Sequence, residues 1–130
     1  MILDTSFLID LFDGREEAFE KGTELSEDRI VQRVPSSVVM ELSYGATFGD
    51  EDEQRKVRNA LGMYPVVEQD ERTAHRAGKL LARADMDAGG ESGIGEVDPI
   101  IAAVGDLYDE PVLTANVRDF EALGVEVETY

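Results

Sequence analysis

The sequence predicts an α/β domain with a mostly parallel central sheet flanked by helices. Short apolar segments, such as residues 1–4 and 111–114, alternate with longer segments of helical periodicity. Chains with this alternation typically fold as parallel sheets covered by helices. The 130 residues suit one domain, 1–130, because no linker composition or internal repeat divides them.

Two strands and four helices are expected in the first half of the chain. Residues 5–13 are apolar almost all round, which indicates a buried helix. Pro35 is expected to stop the second strand, because proline cannot donate to a sheet ladder. Ser36 and Ser37 are candidate N-caps for the next helix. The expected elements are strand 1–4, helix 5–13, helix 15–25, strand 30–34, helix 37–47 and helix 51–62.

Three strands and three helices are expected in the second half. Asp98 followed by Pro99 is typical of an N-cap with proline at the first helical position, and Asn116 is a candidate cap for a short helix. The expected elements are strand 66–67, helix 70–87, loop 88–97, helix 98–108, strand 111–114, helix 117–122 and strand 125–129. The face of the long helix expected to be buried carries Ala74, Ala77, Leu81 and Ala84.

Four polar residues are expected to meet at one edge of this sheet. Asp4 and Asn116 directly follow strands, and Asp98 begins a helix that precedes a strand. Glu41 lies about one turn inside a helix that follows a strand. Because crossover helices run antiparallel to the strands they connect, strand ends and helix starts share one edge, where ligands of open α/β sheets bind.

Clustered carboxylates limit the kinds of reaction that this edge of the sheet could catalyse. Like charges repel unless they are protonated or paired with a cation. Carboxylate and amide oxygens suit Mg²⁺ or Mn²⁺, which commonly serve phosphate chemistry. The absence of cysteine excludes thiol catalysis, and a Ser-His-Asp hydrolase would have to use His75, the single histidine. His75 is more simply interpreted as a surface residue, and Asp106 as a structural one.

Net charge is the most unusual global feature. The chain has 29 acidic and 12 basic residues, a formal charge of −17, and the acids are scattered through every segment. An acidic partner-binding protein, a nucleic-acid mimic and adaptation to high salt are the three possible explanations. Scarce lysine and a normal apolar fraction favour the halophilic composition. At molar salt the Debye length is about 3 Å, so self-repulsion would be largely screened.

Four segments contain the polar residues of this edge, in this order along the chain: Met-Ile-Leu-Asp4-Thr-Ser, Ser36-Ser-Val-Val-Met-Glu41-Leu, Asp98-Pro-Ile-Ile-Ala-Ala and Thr114-Ala-Asn116-Val-Arg-Asp119-Phe. They resemble the motifs of the PIN-domain ribonucleases, in particular the VapC-type toxins of prokaryotic toxin–antitoxin pairs. The resemblance covers essentially the whole chain. It implies a PIN-like fold and a metal-dependent endoribonuclease that uses Mg²⁺ or Mn²⁺, acts on RNA, forms a homodimer and is inhibited by a cognate antitoxin.

The resemblance also assigns expected roles to individual residues. Asp4 and Asp98 would hold the metal directly, and Glu41 would ligate through water or orient the attacking water. Asn116 would bind the waters of a second metal or the substrate phosphate. It departs from the family, which often has aspartate there, and Asp119 one turn along could substitute for it. Ala115 is a second departure, because relatives often carry arginine at that position. Further candidates for hydrogen bonds to the metal's surroundings are Thr5, Ser6 and Thr114.

A row of bases on the long helix is specific to this sequence. Arg72, Arg76, Lys79 and Arg83 recur at i, i+4, i+7 and i+11, which places them on one face. Local pairing with acids such as Glu68 and Glu71 is one explanation. Contact with the RNA backbone, or with an acidic antitoxin segment, is the other. A second basic cluster, on the preceding helix, comprises Arg55, Lys56 and Arg58.

Two other functions remain open on sequence alone. One is a PIN nuclease of RNA processing, or a DNA-directed relative, that has no antitoxin. The other is a degenerate PIN domain that binds RNA or protein without cutting, which Asn116 and the negative charge suggest. No apolar run approaches the roughly 20 residues of a membrane span, and no secretory signal is visible. A cytoplasmic protein without membrane contact is therefore expected.

Overall fold

A computed structural model describes all 130 residues as seven helices and five short strands. The order of elements is the one expected from the sequence. Their bounds are β1 Ile2–Leu3, α1 Thr5–Phe12, α2 Glu16–Glu27, β2 Val34–Pro35, α3 Ser36–Thr47, α4 Glu51–Leu61, β3 Val66–Val67, α5 Glu71–Asp87, α6 Val97–Tyr108, β4 Val112–Leu113, α7 Val117–Ala122 and β5 Val127–Glu128.

The strands form one parallel sheet in the order β3-β2-β1-β4-β5. Ladders β1-β4-β5 and β2-β3 are parallel throughout. A parallel bridge between Ile2 and Arg33 joins them: the Leu3 N–H donates to the Arg33 carbonyl, and the Arg33 N–H to the Met1 carbonyl, both at 2.9 Å. The predicted α/β class with a parallel sheet is confirmed, and β1 is its central strand.

Helices cover the sheet closely and enclose one core of 22 buried apolar residues. Gly105 of α6 shows how close the contact is, since an added Cβ would lie 3.0 Å from a methyl group of Val112 in β4. On α5 the buried face differs from expectation, because Ala74 is exposed and Leu81 only half-buried. The buried residues of that helix are Thr73, Ala77, Leu80 and Ala84. None of the helices combines the length and apolar character that a bilayer crossing requires.

The expected start of α3 is wrong in detail. β2 is shorter than the expected strand 30–34; it ends at Pro35, as expected, but includes Pro35 as its last residue, opposite Val67. Proline is tolerated there because a strand end needs no further ladder donor. Neither serine caps the helix: Pro35 occupies the N-cap position, the Ser36 hydroxyl accepts a bond from the Gln69 N–H at 3.2 Å, and the buried Ser37 hydroxyl has no partner.

The start of α6 also differs from expectation. The helix begins at Val97 with Glu96 at the N-cap, so Asp98 and Pro99 both lie in its first turn. Proline fits there because the first N–H groups of a helix have no intrahelical acceptor. Asp98 is therefore not a cap, and its carboxylate is free for contacts outside the helix.

Candidate active site

The four residues expected at the carboxyl edge of the sheet do meet there. Asp4 follows β1, Glu41 projects from α3, Asp98 from the first turn of α6, and Asn116 lies between β4 and α7. The Asn116 amide nitrogen donates to Asp98 at 3.1 Å, although the two residues belong to different elements. The predicted convergence is a consequence of parallel strands and short connections after them.

Asp4 is the most buried carboxylate at this edge, with 4% of its surface exposed. Its Oδ2 accepts two hydrogen bonds, from the Ser6 hydroxyl at 2.7 Å and from the buried Thr114 hydroxyl at 2.6 Å. Asp4 makes no side-chain cap bond to α1. The two hydroxyls satisfy N–H groups in turn, since Ala115 donates to Ser6 at 3.0 Å and Asn116 donates to Thr114 at 2.9 Å. Neutral donors thus fix the orientation of Asp4 without cancelling its charge.

Glu41 is held by a similar neutral contact. The Thr5 hydroxyl donates to Glu41 Oε1 at 2.6 Å, across 36 residues of sequence. Glu41 is half-buried on α3, so one of its oxygens is fixed in direction while the residue keeps partial contact with solvent. Thr5, Ser6 and Thr114, expected as additional site residues, therefore all contact the acidic residues directly.

The surroundings of Asp98 raise its pKa. Burial raises its pKa, and the charges of Asp4, Asp119 and Glu41 raise it further, to about 6. The hydrogen bond from Asn116 acts in the opposite direction but is the smallest contribution. The other three carboxylates are thus close enough to Asp98 to repel its negative charge.

Asp119 joins the cluster through Asn116. The Asn116 amide nitrogen donates to Asp119 Oδ2 at 2.9 Å as well as to Asp98. Asn116 occupies the N-cap position of α7 but makes no side-chain cap bond, so its expected capping function is wrong. Instead its amide lies between two carboxylates, so that the negative charge of Asp119 lies near Asp98.

No basic side chain neutralises this set of acids. None of the four carboxylates takes part in an ion pair. No group of three or more acidic or histidine side chains is arranged to hold an ion directly either. Mg²⁺ is commonly bound by only one or two carboxylates and keeps several waters. The residues therefore fit a hydrated divalent cation, which would supply the missing counter-charge.

Comparison with known proteins agrees with this geometry. A family model described as PIN domain matches residues 1–126. The chain belongs to the PIN domain family. No curated protein sequence matches it.

Solved structures share the fold of this PIN domain. VapBC2 from Rickettsia felis, bound to a promoter DNA fragment, has a TM-score of 0.83 at 19% identity, with 99% of this chain and 97% of that chain covered. DNA-bound VapBC from Salmonella typhimurium has a TM-score of 0.84 at 23% identity, with 98% and 96% covered. A toxin–antitoxin complex from Klebsiella pneumoniae has a TM-score of 0.72 at 26% identity, with 92% and 88% covered.

The basic residues of α5 lie outside the acidic edge of the PIN domain. Arg76 pairs with Asp106 of α6 at 2.5 Å, which agrees with a structural interpretation of Asp106. None of these bases forms an ion pair with Glu68 or Glu71, the acids named in the first of the two explanations, and Glu71 contacts the exposed His75 at 3.4 Å. The members of the row that form no ion pair are Arg72, Lys79 and Arg83. On α4 the situation differs, because both Arg55 and Lys56 pair with Asp52.

Tyr130 is a neighbour of the site that sequence reasoning missed. Its hydroxyl donates to Asp10 Oδ2 at 2.6 Å, and its ring packs edge-on against Phe7 with centroids 5.1 Å apart. Burial raises the pKa of the Tyr130 phenol, and the negative charges of Asp10 and Asp4 raise it further. No local pattern signals this contact, because the paired residues are 120 positions apart.

Proposed function

We propose that this PIN domain is a divalent-metal-dependent endoribonuclease that hydrolyses RNA phosphodiester bonds. The carrying observation is the set of four carboxylates at one sheet edge without a single basic partner. Burial, together with the charges of Asp4, Asp119 and Glu41, raises the pKa of Asp98 to about 6. A bound cation would offset the repulsion between these carboxylates. The set of ligands contains only oxygen atoms, which favours Mg²⁺ or Mn²⁺ over zinc.

Each residue of the edge has a distinct proposed role. Asp4 and Asp98 would hold the ion, and Glu41 would bind one of its waters or orient the attacking water. When bound, the divalent ion would supply positive charge to the phosphate group as its negative charge increases during hydrolysis. Ser6 and Thr114 orient Asp4, and Thr5 orients Glu41, so the carboxylates need little rearrangement to act.

Asn116 acts as a positioning residue in this proposal. Its amide nitrogen bonds to Asp98 and Asp119 together, which keeps the two carboxylates close despite their repulsion. Asp119 then contributes charge to the edge from α7. A second ion, if bound, would be held through Asp119 and water, because the amide of Asn116 adds no charge.

We further infer that the protein is the toxin of a type II toxin–antitoxin pair and acts in the cytoplasm. The support is the shared fold with complexes whose descriptions name VapBC proteins or a toxin–antitoxin complex. A cognate antitoxin would then be a protein partner, and a homodimer the assembly. A small gene upstream that encodes a DNA-binding antitoxin would support this, whereas its absence would favour a PIN nuclease of RNA processing.

Cleavage of structured RNA at molar KCl tests the proposed activity. Wild-type protein with Mn²⁺ or Mg²⁺ should cut the RNA, and chelation should stop the reaction. Asp98→Asn and Asp4→Asn should each lower the rate by at least about 100-fold, because the charge that holds the ion is lost. Asp28→Asn, at the exposed C-terminal end of α2, is the matched control and should cut normally. Equal rates in all four proteins, or no cleavage with either metal, would contradict the proposal.

One observation favours a second candidate, a PIN domain that binds RNA or protein without cutting. The neutral amide of Asn116 already bridges Asp98 and Asp119, and so partly satisfies the carboxylates that a metal would use. Asn116→Asp separates the two functions. If wild type does not cut RNA and Asn116→Asp does, the natural protein is a binding domain; cleavage by wild type excludes it.

A further inference from the structure

The basic row on α5, here called the basic stripe, comprises Arg72, Arg76, Lys79 and Arg83. Residues three and four positions apart are neighbours on a helix surface. On this face the helical neighbours of the stripe are other stripe members, His75 or uncharged residues, with Asp87 the one acidic exception. Such segregation is unusual in a chain with 29 acidic residues and a formal charge of −17.

Most of the stripe forms no ion pair within the protein. Arg76 alone forms an ion pair, with Asp106, and both side chains are about one third exposed. The other three side chains are exposed and form no ion pair. Six basic residues in the whole chain are free in this sense, and half of them lie on this single helix face. The free positive charge of the molecule is therefore concentrated at the stripe.

The stripe leads towards the acidic edge. Arg76 reaches Asp106, and residues 88–96 connect α5 directly to α6, so the two helices form an antiparallel hairpin. The eight-residue step from Arg76 to Ala84 matches the eight-residue step from Asp106 back to Asp98. In this register Arg83 lies nearly level with Asp98. From there the stripe extends away for eleven residues, or about 16 Å of helix.

We propose that the basic stripe binds the sugar-phosphate backbone of the RNA substrate on one side of the bond to be cleaved. This inference rests on the proposed nuclease function. Three of the four bases are exposed and unpaired, a row of them matches a row of phosphates, and along the helix axis the row begins level with a proposed metal ligand. Phosphate contacts of this kind position a nucleic acid without reading its sequence. The stripe would thus attract RNA to a protein whose remaining surface repels it.

An acidic polypeptide fits the same surface less well. Protein interfaces gain most of their affinity from apolar or aromatic anchors seated in pockets. The groove beside the stripe, lined by Arg72, Arg76 and Lys79, has one apolar residue, Leu107. The acids at its end, Asp70 and Glu71, are already engaged with Thr73 and His75. Phosphate binding requires charge alone, and the groove offers little else.

Binding of a labelled single-stranded RNA, measured by fluorescence anisotropy in EDTA over a range of KCl, tests the stripe. Lys79→Gln/Arg83→Gln should bind RNA about tenfold more weakly, and the logarithmic slope of its salt dependence should be shallower by about 1.4, or about 0.7 for each lost phosphate contact with a single strand. Arg29→Gln/Arg58→Gln removes the same charge from two exposed and unpaired positions elsewhere. This control should bind as wild type does.

The outcomes separate the stripe from the nuclease function. If wild type cuts RNA but the two double variants bind RNA equally well, or lose the same amount of RNA affinity, the proposal for the stripe is wrong and the nuclease proposal stands. If only Lys79→Gln/Arg83→Gln loses RNA binding while wild type cuts no RNA with either metal, the stripe is an RNA-binding surface and the nuclease proposal fails. Loss of binding to polyglutamate but not to RNA would overturn the choice of partner.

Discussion

The acidic edge and the basic stripe contrast in how they carry charge. Both concentrate charge of one sign with almost no ion pairs. The acidic edge is buried or half-buried, and each carboxylate has at least one fixed neutral donor. The stripe is exposed, and three of its four side chains have no partner. At the edge, burial and the neighbouring charges raise the pKa of Asp98. At the stripe, water screens the repulsion between the positive charges.

This contrast implies different functional demands. Charges that must hold an ion need defined positions, which the hydroxyls of Ser6, Thr5 and Thr114 provide. Charges that attract a flexible polyanion need only the right sign and spacing. Substitutions at the edge should therefore alter stability and chemistry, while substitutions in the stripe should alter substrate affinity. Three changes test this division, in decreasing order of expected effect on stability.

Thr114→Val should give the largest loss of stability. The Thr114 hydroxyl is fully buried, donates to Asp4 and accepts from the Asn116 N–H. Its removal leaves the half-buried N–H of Asn116 and a buried carboxylate oxygen of Asp4 short of partners, at a cost of about 2 kcal/mol. Urea unfolding measures the effect. Thr23→Val, which removes an exposed hydroxyl bonded within α2, should change the free energy of unfolding by less than about 0.5 kcal/mol. Equal effects would show that the hydroxyl network is not special.

Asp98→Asn should stabilise the metal-free protein near neutral pH. Because the folded pKa of about 6 exceeds the ordinary value of 3.8, the stability contributed by the protonated carboxyl is present below pH 3.8 and is lost as the pH rises through 6. Allowing for partial solvent screening, the ionised group costs about 1–2 kcal/mol at pH 7. The Asn variant keeps the bond from Asn116 and avoids this cost.

Unfolding in EDTA at pH 7 and pH 5 measures the effect of Asp98→Asn. The variant's advantage over wild type should be larger at pH 7 than at pH 5. Asp28→Asn provides the control at an exposed aspartate and should show no such difference. A variant less stable than wild type at pH 7 would mean that Asp98 is stabilised by a contact rather than strained by repulsion.

Arg76→Gln should have the smallest effect on stability. Its ion pair with Asp106 is about one third exposed on both sides, and pairs of this kind contribute less than about 1 kcal/mol. Thermal unfolding should therefore change little, and the remaining difference should shrink as KCl is raised. A decrease in the free energy of unfolding above 2 kcal/mol would show that the ion pair stabilises the packing of α5 against α6, beyond any function of Arg76 in the stripe.

The placement of the site was predictable because topology determines it. Alternating strands and helices place Asp4, Glu41, Asp98 and Asn116 at one edge, whatever the exact helix bounds. Local signals were less dependable. The Asp-Pro pair at 98–99 is typical of a helix start, but the helix begins one residue earlier and the Asp98 carboxylate meets Asn116 instead. The hydrogen bond of this carboxylate joins two elements and does not cap a helix.

Contacts between distant segments could not be read from the sequence. The spacing of bases on α5 correctly placed the stripe on one face. Its single ion pair depends on how α5 packs against α6, so Asp106 was not predictable as the partner of Arg76. The same holds for Tyr130, whose contact with Asp10 joins the two ends of the chain. Helical periodicity describes one element, whereas these contacts are set by the packing of two.

Measuring Mn²⁺ binding is the most direct test of the proposal that the acidic edge binds a divalent cation. Isothermal titration at molar KCl can compare wild type, Asp98→Asn and Asp28→Asn. Wild type and Asp28→Asn should bind Mn²⁺ with equal affinity, and Asp98→Asn should bind at least about tenfold more weakly because a direct ligand is lost. No binding by wild type, or equal binding by Asp98→Asn, would contradict the proposal that these carboxylates converge to hold a metal.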